Sequence, residues 1–178
     1  RQNTAKALAQ YVRTLVSGGS KLDQYIQGTY TFTPSEQLGF DIFNNEQGDC
    51  FHCHGLATTG YQMGAHGLLQ FTNNGLDSAH VVGAGREAVT GDPSDRGKFK
   101  VPSLRNVEYS YPYMHDGRFQ TLAEVLDFYE MGGHPSPTLD PNMKAVGIGR
   151  NWSVAQKQGL LDFLKTFSDP AFLTDTSF

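Results

Sequence analysis

A chain of 178 residues with a formal net charge of −4 fits one domain, or one domain with long decorations, and offers no basic surface for nucleic acid. No apolar run approaches the ~20 residues that a membrane-spanning helix requires. Hydrophobic residues make up 38% of the chain, with 20 glycines and 8 prolines, so many turns and a core short of apolar side chains are expected.

In chain order, the first expected element is a helix. Ala5, Leu8, Ala9, Val12, Leu15 and Val16 recur at helical spacing, and Gly18-Gly19 ends the run. Thr33-Pro34-Ser35-Glu36 is a capping box with proline at the first helical position. It opens a second helix through Leu38, Phe40, Ile42 and Phe43, which leads into Cys50-Phe51-His52-Cys53-His54. Residues 55–100 and 131–152 are rich in Gly, Asn, Asp and Pro and read as long irregular loops. Between them, Thr121-Leu122-Ala123-Glu124 is a second capping box, opening a helix over 122–130. Ser153-Val154-Ala155-Gln156 is a third, opening a helix through Leu160, Leu161, Phe163, Leu164 and Phe167. No strand alternation, repeat or low-complexity tract appears. The expected fold class is all-α with long irregular loops. The expected organisation is a single domain over 1–178: N-terminal helix and linker 1–34, core 35–168, C-terminal tail 169–178.

The pentad at 50–54 is C-x-x-C-H and contains the only two cysteines. Two thiols at this spacing can form thioethers with the two vinyl groups of one haem, and the next histidine can ligate the iron, as in c-type haem attachment. A zinc site needs about four protein ligands, and there is no second cysteine pair. A thioredoxin-like C-x-x-C would sit near a βαβ pattern, which is absent. Cys50, Cys53 and His54 are therefore the expected haem c residues, with His52 a bystander. A haem would supply missing core, and the expected all-α fold then resembles a class I cytochrome c, with long irregular loops around one covalently bound haem and residues 35–168 as the haem core. Because haem c is attached outside the cytoplasm, and the chain starts at Arg1 without a signal peptide, a mature or trimmed exported protein, periplasmic or otherwise, is expected.

Two further segments are more specific. Lys98-Phe99-Lys100-Val101-Pro102-Ser103-Leu104-Arg105-Asn106 is followed by Tyr111-Pro112-Tyr113-Met114-His115-Asp116-Gly117. Downstream of C-x-x-C-H, this pair resembles the bacterial di-haem cytochrome c peroxidases and their MauG-type relatives. Gly91-Asp92-Pro93-Ser94-Asp95-Arg96-Gly97 and Asn73-Asn74-Gly75-Leu76-Asp77 fit the same family, so the resemblance covers nearly the whole chain. It is to the C-terminal, electron-transfer half, and it implies an oxidoreductase. The intact enzyme would reduce hydrogen peroxide at a haem in its N-terminal half, while the haem of this chain passes electrons to it. Implied partners are that N-terminal haem domain, a small redox donor protein and hydrogen peroxide, with a homodimer left open. No catalytic residue is assigned within the chain. Two other readings stand beside this one: MauG-type peroxide-dependent oxidation of a partner protein, and a stand-alone mono-haem electron carrier.

The resemblance also bears on the second axial ligand, which tunes haem potential. In the family it follows the H-D-G element by fourteen residues, which here falls on Tyr129. The peroxidases carry methionine there and the MauG-type enzymes tyrosine. Tyr129 shares a helical face with Leu122, Val125 and Leu126, whereas Met131 is about 200° around the helix from it. Tyr129, Met131, Met114 and an open or water-bound position all remain candidates. Arg105, with Lys98 or Lys100, is a candidate partner for haem propionates. The carbonyls of Ser110 and Pro112 match the place where the peroxidases bind calcium between their domains, so calcium is an implied second cofactor. His115 reads as a turn residue or as part of an inter-haem path. His66, His80 and His134 read as loop histidines, and Trp152 as packing. Phe40, Phe43, Phe71, Phe99 and Phe128 read as haem-pocket packing.

Overall fold

The computed structural model describes residues 2–54, 71–78 and 83–177. Its helices are α1 (Gln2–Thr14), α2 (Lys21–Ile26), α3 (Pro34–Phe43), α4 (Phe51–His54), α5 (Glu87–Thr90), α6 (Leu122–Met131), α7 (Val154–Lys165) and α8 (Pro170–Leu173). Two-residue strands β1 (Phe71–Thr72) and β2 (Phe99–Lys100) pair antiparallel, with Phe71 opposite Lys100. This ladder is too short to show as alternation in the sequence.

All three predicted capping boxes form, at Thr33, Thr121 and Ser153. In each, the N-cap hydroxyl accepts from a backbone N–H that would otherwise lack a partner, and the side chain three residues on returns to the cap. A fourth box, Ser20 with Asp23, starts α2, which the sequence reading placed within a linker. Leu22 on α2 and Phe32 beyond it are buried in the core, so the 1–34 segment contributes core as well as connection.

The centre of the fold is the crossing of α3 and α7. Gly39 and Gly159 meet there: a Cβ built on Gly39 would lie 2.0 Å from the Gly159 carbonyl oxygen. The missing side chains let the two backbones approach closely. Around the crossing, Phe163 meets Phe32, Phe40 and Phe43 edge-on at 5.8, 5.6 and 5.4 Å between ring centroids. Such pairs add about 0.5–1.5 kcal/mol beyond area burial. Phe40 and Phe43, expected as haem packing, are thus members of an aromatic core between α3 and α7.

Two expectations at the ends need correction. The N-terminal periodicity does produce a helix, but it ends at Thr14 and none of its residues is buried; Leu8 is 62% exposed. Helical spacing reports an apolar stripe, not what covers it. The C-terminal tail is not merely a tail. Asp169 caps α8, and its Oδ2 accepts from the N–H groups of Gly18 and Gly19 at 2.9 and 2.8 Å, fastening the chain after α1 to the start of α8.

Candidate haem site

The pentad is positioned by the turn that follows α3. Gly48 passes so close to the end of α3 that a Cβ there would lie 2.2 Å from the Ile42 carbonyl oxygen. Asp49 then adopts a left-handed conformation with φ 61°. The chain re-enters a helical turn at once, with the Cys53 and His54 N–H groups donating to the Cys50 carbonyl at 3.2 and 2.9 Å. Residues i, i+3 and i+4 of a turn share one face, so Cys50, Cys53 and His54 face the same way.

Their chemistry is that of reduced thiols and a neutral imidazole. Both cysteines are free. Burial pushes the Cys50 thiol up to about 12, opposed by the Arg150 charge and reinforced by Asp49. Burial pushes Cys53 up to about 11, with Asp140 and Asp49 adding to the effect. His54 is driven down to about 4 by burial, against the effect of the Pro102 carbonyl. Nδ1 of His54 is buried and has no partner in hydrogen-bond geometry, so the Pro102 contact is a loose one. An imidazole held neutral keeps a lone pair for a metal.

Across from the pentad, α6 delivers Tyr129. Leu122, Leu126 and Phe128 of this helix are buried. The Tyr129 hydroxyl accepts a hydrogen bond from Asn74 Nδ2 at 3.2 Å, and the same Nδ2 lies 3.7 Å from the Met114 sulfur. Burial pushes Tyr129 up to about 12; the Asn74 hydrogen bond and Arg150 oppose this, and the Cys53 and Cys50 sulfurs act with it. Tyr129 and the two thiols therefore lie near enough to interact. All four side chains, His54 included, are only half-buried, yet burial is the first cause of each displaced pKa. Cys50 and Tyr129 pack against the edge of the hydrophobic core. Met131, two residues on, is 50% exposed at the helix end, where Gly132 closes α6 in a left-handed C-cap.

Two free thiols one helical turn apart, a neutral imidazole on the same face with an unpartnered nitrogen, and a phenol opposite form a donor set that suits a covalently attached haem.

The cations expected near the haem carboxylates have other partners. Arg105 grips Asp23 with both Nη atoms, at 2.8 and 2.7 Å. Burial alone would raise the Asp23 carboxyl; the Arg105 and Ser20 hydrogen bonds outweigh it and hold it below its usual range. Lys98 lies 3.6 Å from Asp95, and the Lys100 ammonium stands 5.7 Å from the Phe71 ring centroid. His115 stacks on Phe99 at 3.9 Å and is exposed. Phe128 packs against Phe119 and Tyr129. Trp152 is buried and donates from Nε1 to the Gln47 carbonyl at 3.0 Å. His134 is exposed, as are Ser110 and Pro112, where calcium carbonyls were expected. His66 and His80 lie outside the described residues.

Four residues were missed. Asn74 orients Tyr129 from a distant loop. Asp49 and Arg150 are buried charges beside Cys50. Arg118 pairs with both Asp77 and Asp116, at 2.8 and 2.5 Å, joining the 73–77 segment to the 111–118 segment. His52, expected to take no part in holding the iron, lies 3.1 Å from Asp49 Oδ1 and 3.3 Å from Glu46 Oε1. Only an asparagine after a turn, or an arginine beside a tryptophan, marked these positions in the sequence.

No family model matches the chain. Among curated proteins, it is 32% identical to cytochrome-c peroxidase IdrP1 of Pseudomonas sp. strain SCT, over 94% of this chain and 50% of that one. It is 33% identical to the methylamine utilization protein MauG of Methylorubrum extorquens, over 97% of this chain and 46% of that one. The crystal structure of a MauG-like protein associated with microbial copper homeostasis superposes with a TM-score of 0.76 at 35% identity, covering 90% of this chain and 55% of the other. The chain spans about half the length of the curated relatives it matches.

Proposed function

Since the chain belongs to the family of the di-haem cytochrome c peroxidases and MauG, over about half the length of its curated members, we propose that it is the C-terminal, electron-transferring haem c domain of such an oxidoreductase, built on the class I cytochrome c plan. The observation that carries this is the single turn that sets Cys50, Cys53 and His54 on one face, with Tyr129 near enough to interact with both thiols. When bound, a haem c would supply a one-electron iron centre. Cys50 and Cys53 would hold it as thioethers, the S–H of each thiol adding across one vinyl group. His54 offers the proximal nitrogen. Tyr129, held in register by Asn74, or else Met131 or Met114, would offer the distal atom, and the aromatic core of α3 and α7 fixes the pentad to the rest of the fold. In the intact enzyme, electrons would arrive from a small redox donor protein and leave for an N-terminal haem domain that reduces hydrogen peroxide. Ser110 and Pro112 would offer carbonyls for an inter-domain calcium, and attachment of haem c would imply a periplasmic or otherwise exported protein. The test is expression with a haem c maturation system followed by mass and absorption spectra: one haem on the wild-type chain and none on Cys50→Ala/Cys53→Ala is expected. A wild-type chain that matures without haem would overturn the reading.

A second reading is favoured by Tyr129 facing the thiols while Met131 is half exposed. A hard phenolate stabilises ferric iron, where a thioether favours ferrous iron. That suits MauG-type, peroxide-dependent oxidation of a partner protein. The ferric spectrum into the near infrared separates the two: a methionine-to-iron charge-transfer band would exclude Tyr129 and with it this reading.

A further inference from the structure

Two buried charges flank the attachment turn. Asp49, the residue before Cys50, has a side chain 2% exposed; that of Arg150 is 7% exposed. Arg150 Nη2 lies 3.5 Å from Asp49 Oδ2, and its Nη1 donates to the Gln47 carbonyl at 3.3 Å. Its guanidinium stands 5.9 Å from the centroid of the Trp152 ring. The backbone holds both residues: Asp49 N–H donates to the Asn45 carbonyl and Arg150 N–H to that of Glu130, the neighbour of Tyr129, each at 2.8 Å. On its other side Asp49 Oδ1 meets His52 Nε2 at 3.1 Å and Lys144 Nζ at 3.3 Å.

The pair is poorly made as a stabilising contact. Asp49 Oδ2 and Arg150 Nε are both buried without a hydrogen-bond partner. A buried ion pair with unsatisfied atoms contributes little net stability, because desolvation offsets the attraction. Its field, however, reaches the site. Arg150 lowers and Asp49 raises the Cys50 thiol pKa, Asp49 also raises that of Cys53, and Arg150 lowers that of Tyr129.

We propose that the buried Asp49–Arg150 pair sets the reduction potential of the iron held at this site, Arg150 favouring the ferrous and Asp49 the ferric state. This rests on the haem c reading of Cys50, Cys53 and His54. The couple is Fe(III) plus one electron giving Fe(II), and neither residue makes or breaks a bond. A charge that shifts such an equilibrium about tenfold moves the potential by about 59 mV for one electron.

The experiment is spectroelectrochemical titration of the haem-loaded chain, with an electrode supplying the electron. Arg150→Gln lowers the potential by about the tenfold amount, Asp49→Asn raises it, and Arg150→Lys stays near wild type. A general loosening of the site would admit water and move both neutral variants the same way, so opposite signs are diagnostic. Shifts in a common direction, or both below about twofold, overturn the inference while the haem reading stands. Should Arg150→Gln fail to fold, Asp49→Asn and Arg150→Lys give the same decision: a raised potential in the first and an unchanged one in the second support the proposal, and any other pair overturns it. A wild-type chain that binds no haem sinks the site reading itself, and this inference with it.

Discussion

Asn74 donates from its side-chain amide to the Tyr129 hydroxyl at 3.2 Å, joining the segment after β1 to the last turn of α6. The amide cannot turn over freely, because its Oδ1 accepts from the Leu76 N–H at 3.2 Å. A loop residue thus aims a helix residue at the pentad. Asn74→Ala should leave the fold intact, with a stability loss of about 1 kcal/mol, while the haem-loaded protein shows a heterogeneous ferric spectrum. A spectrum identical to wild type would mean that Tyr129 is held by α6 alone.

The ligand itself is tested by a pair of variants. Tyr129→Phe should change the ferric absorption spectrum of the haem-loaded chain, and Met131→Ala should not. The opposite result would place the half-exposed Met131 on the iron.

The Arg105–Asp23 pair makes a prediction about acid. The Asp23 carboxyl is held below its usual range in the folded chain, so between the two pKa values the unfolded chain binds the extra proton. The pair's stability is therefore fully present above the unfolded carboxyl value of 3.8 and is lost as pH falls through the lower folded value. Asp23→Asn should cost about 2 kcal/mol at neutral pH. It should also flatten the fall of urea stability with acid, measured between about pH 5 and 2. An equally steep acid limb would assign that limb to other carboxylates.

The α3–α7 crossing is tested by alanine. Gly39→Ala places a methyl group against the Gly159 carbonyl and should cost about 3 kcal/mol or more, read as a lowered urea midpoint. Gly18→Ala, where nothing lies within 4 Å of the new Cβ, is the control and should change stability by less than about 0.5 kcal/mol.

What the sequence made legible were features whose chemistry is local. The C-x-x-C-H turn needs three side chains within five residues, and each capping box needs two within four. Both are written in contiguous letters, so Cys50, Cys53, His54 and the starts of α3, α6 and α7 were readable. Burial is not local. The stripe on α1 and the face of α6 carry the same periodicity, yet α1 buries nothing while α6 buries Leu122, Leu126 and Phe128. Partner choice is not local either. Arg105 was expected at a carboxylate and is at one, but it belongs to Asp23, 82 residues away. Asn74 and Arg150 act through distances that only the folded chain creates. The box at Ser20 was hidden because Asp23 stands where glutamate or glutamine is usual.

One carboxylate also closes the polypeptide on itself. Asp169 receives Gly18 and Gly19, the latter 150 positions away, while capping α8 with its other oxygen. The molecule is thereby a non-covalent ring, with the helices α1 and α8 leaving from one clasp. Neither end can fray past that clasp alone. Trimming back through Asp169 would leave two glycine donors without an acceptor at the opposite terminus, and cutting before Gly18 would leave the clasp whole. The boundaries of the smallest stable unit are therefore a single property shared by both ends, not two that can be chosen separately.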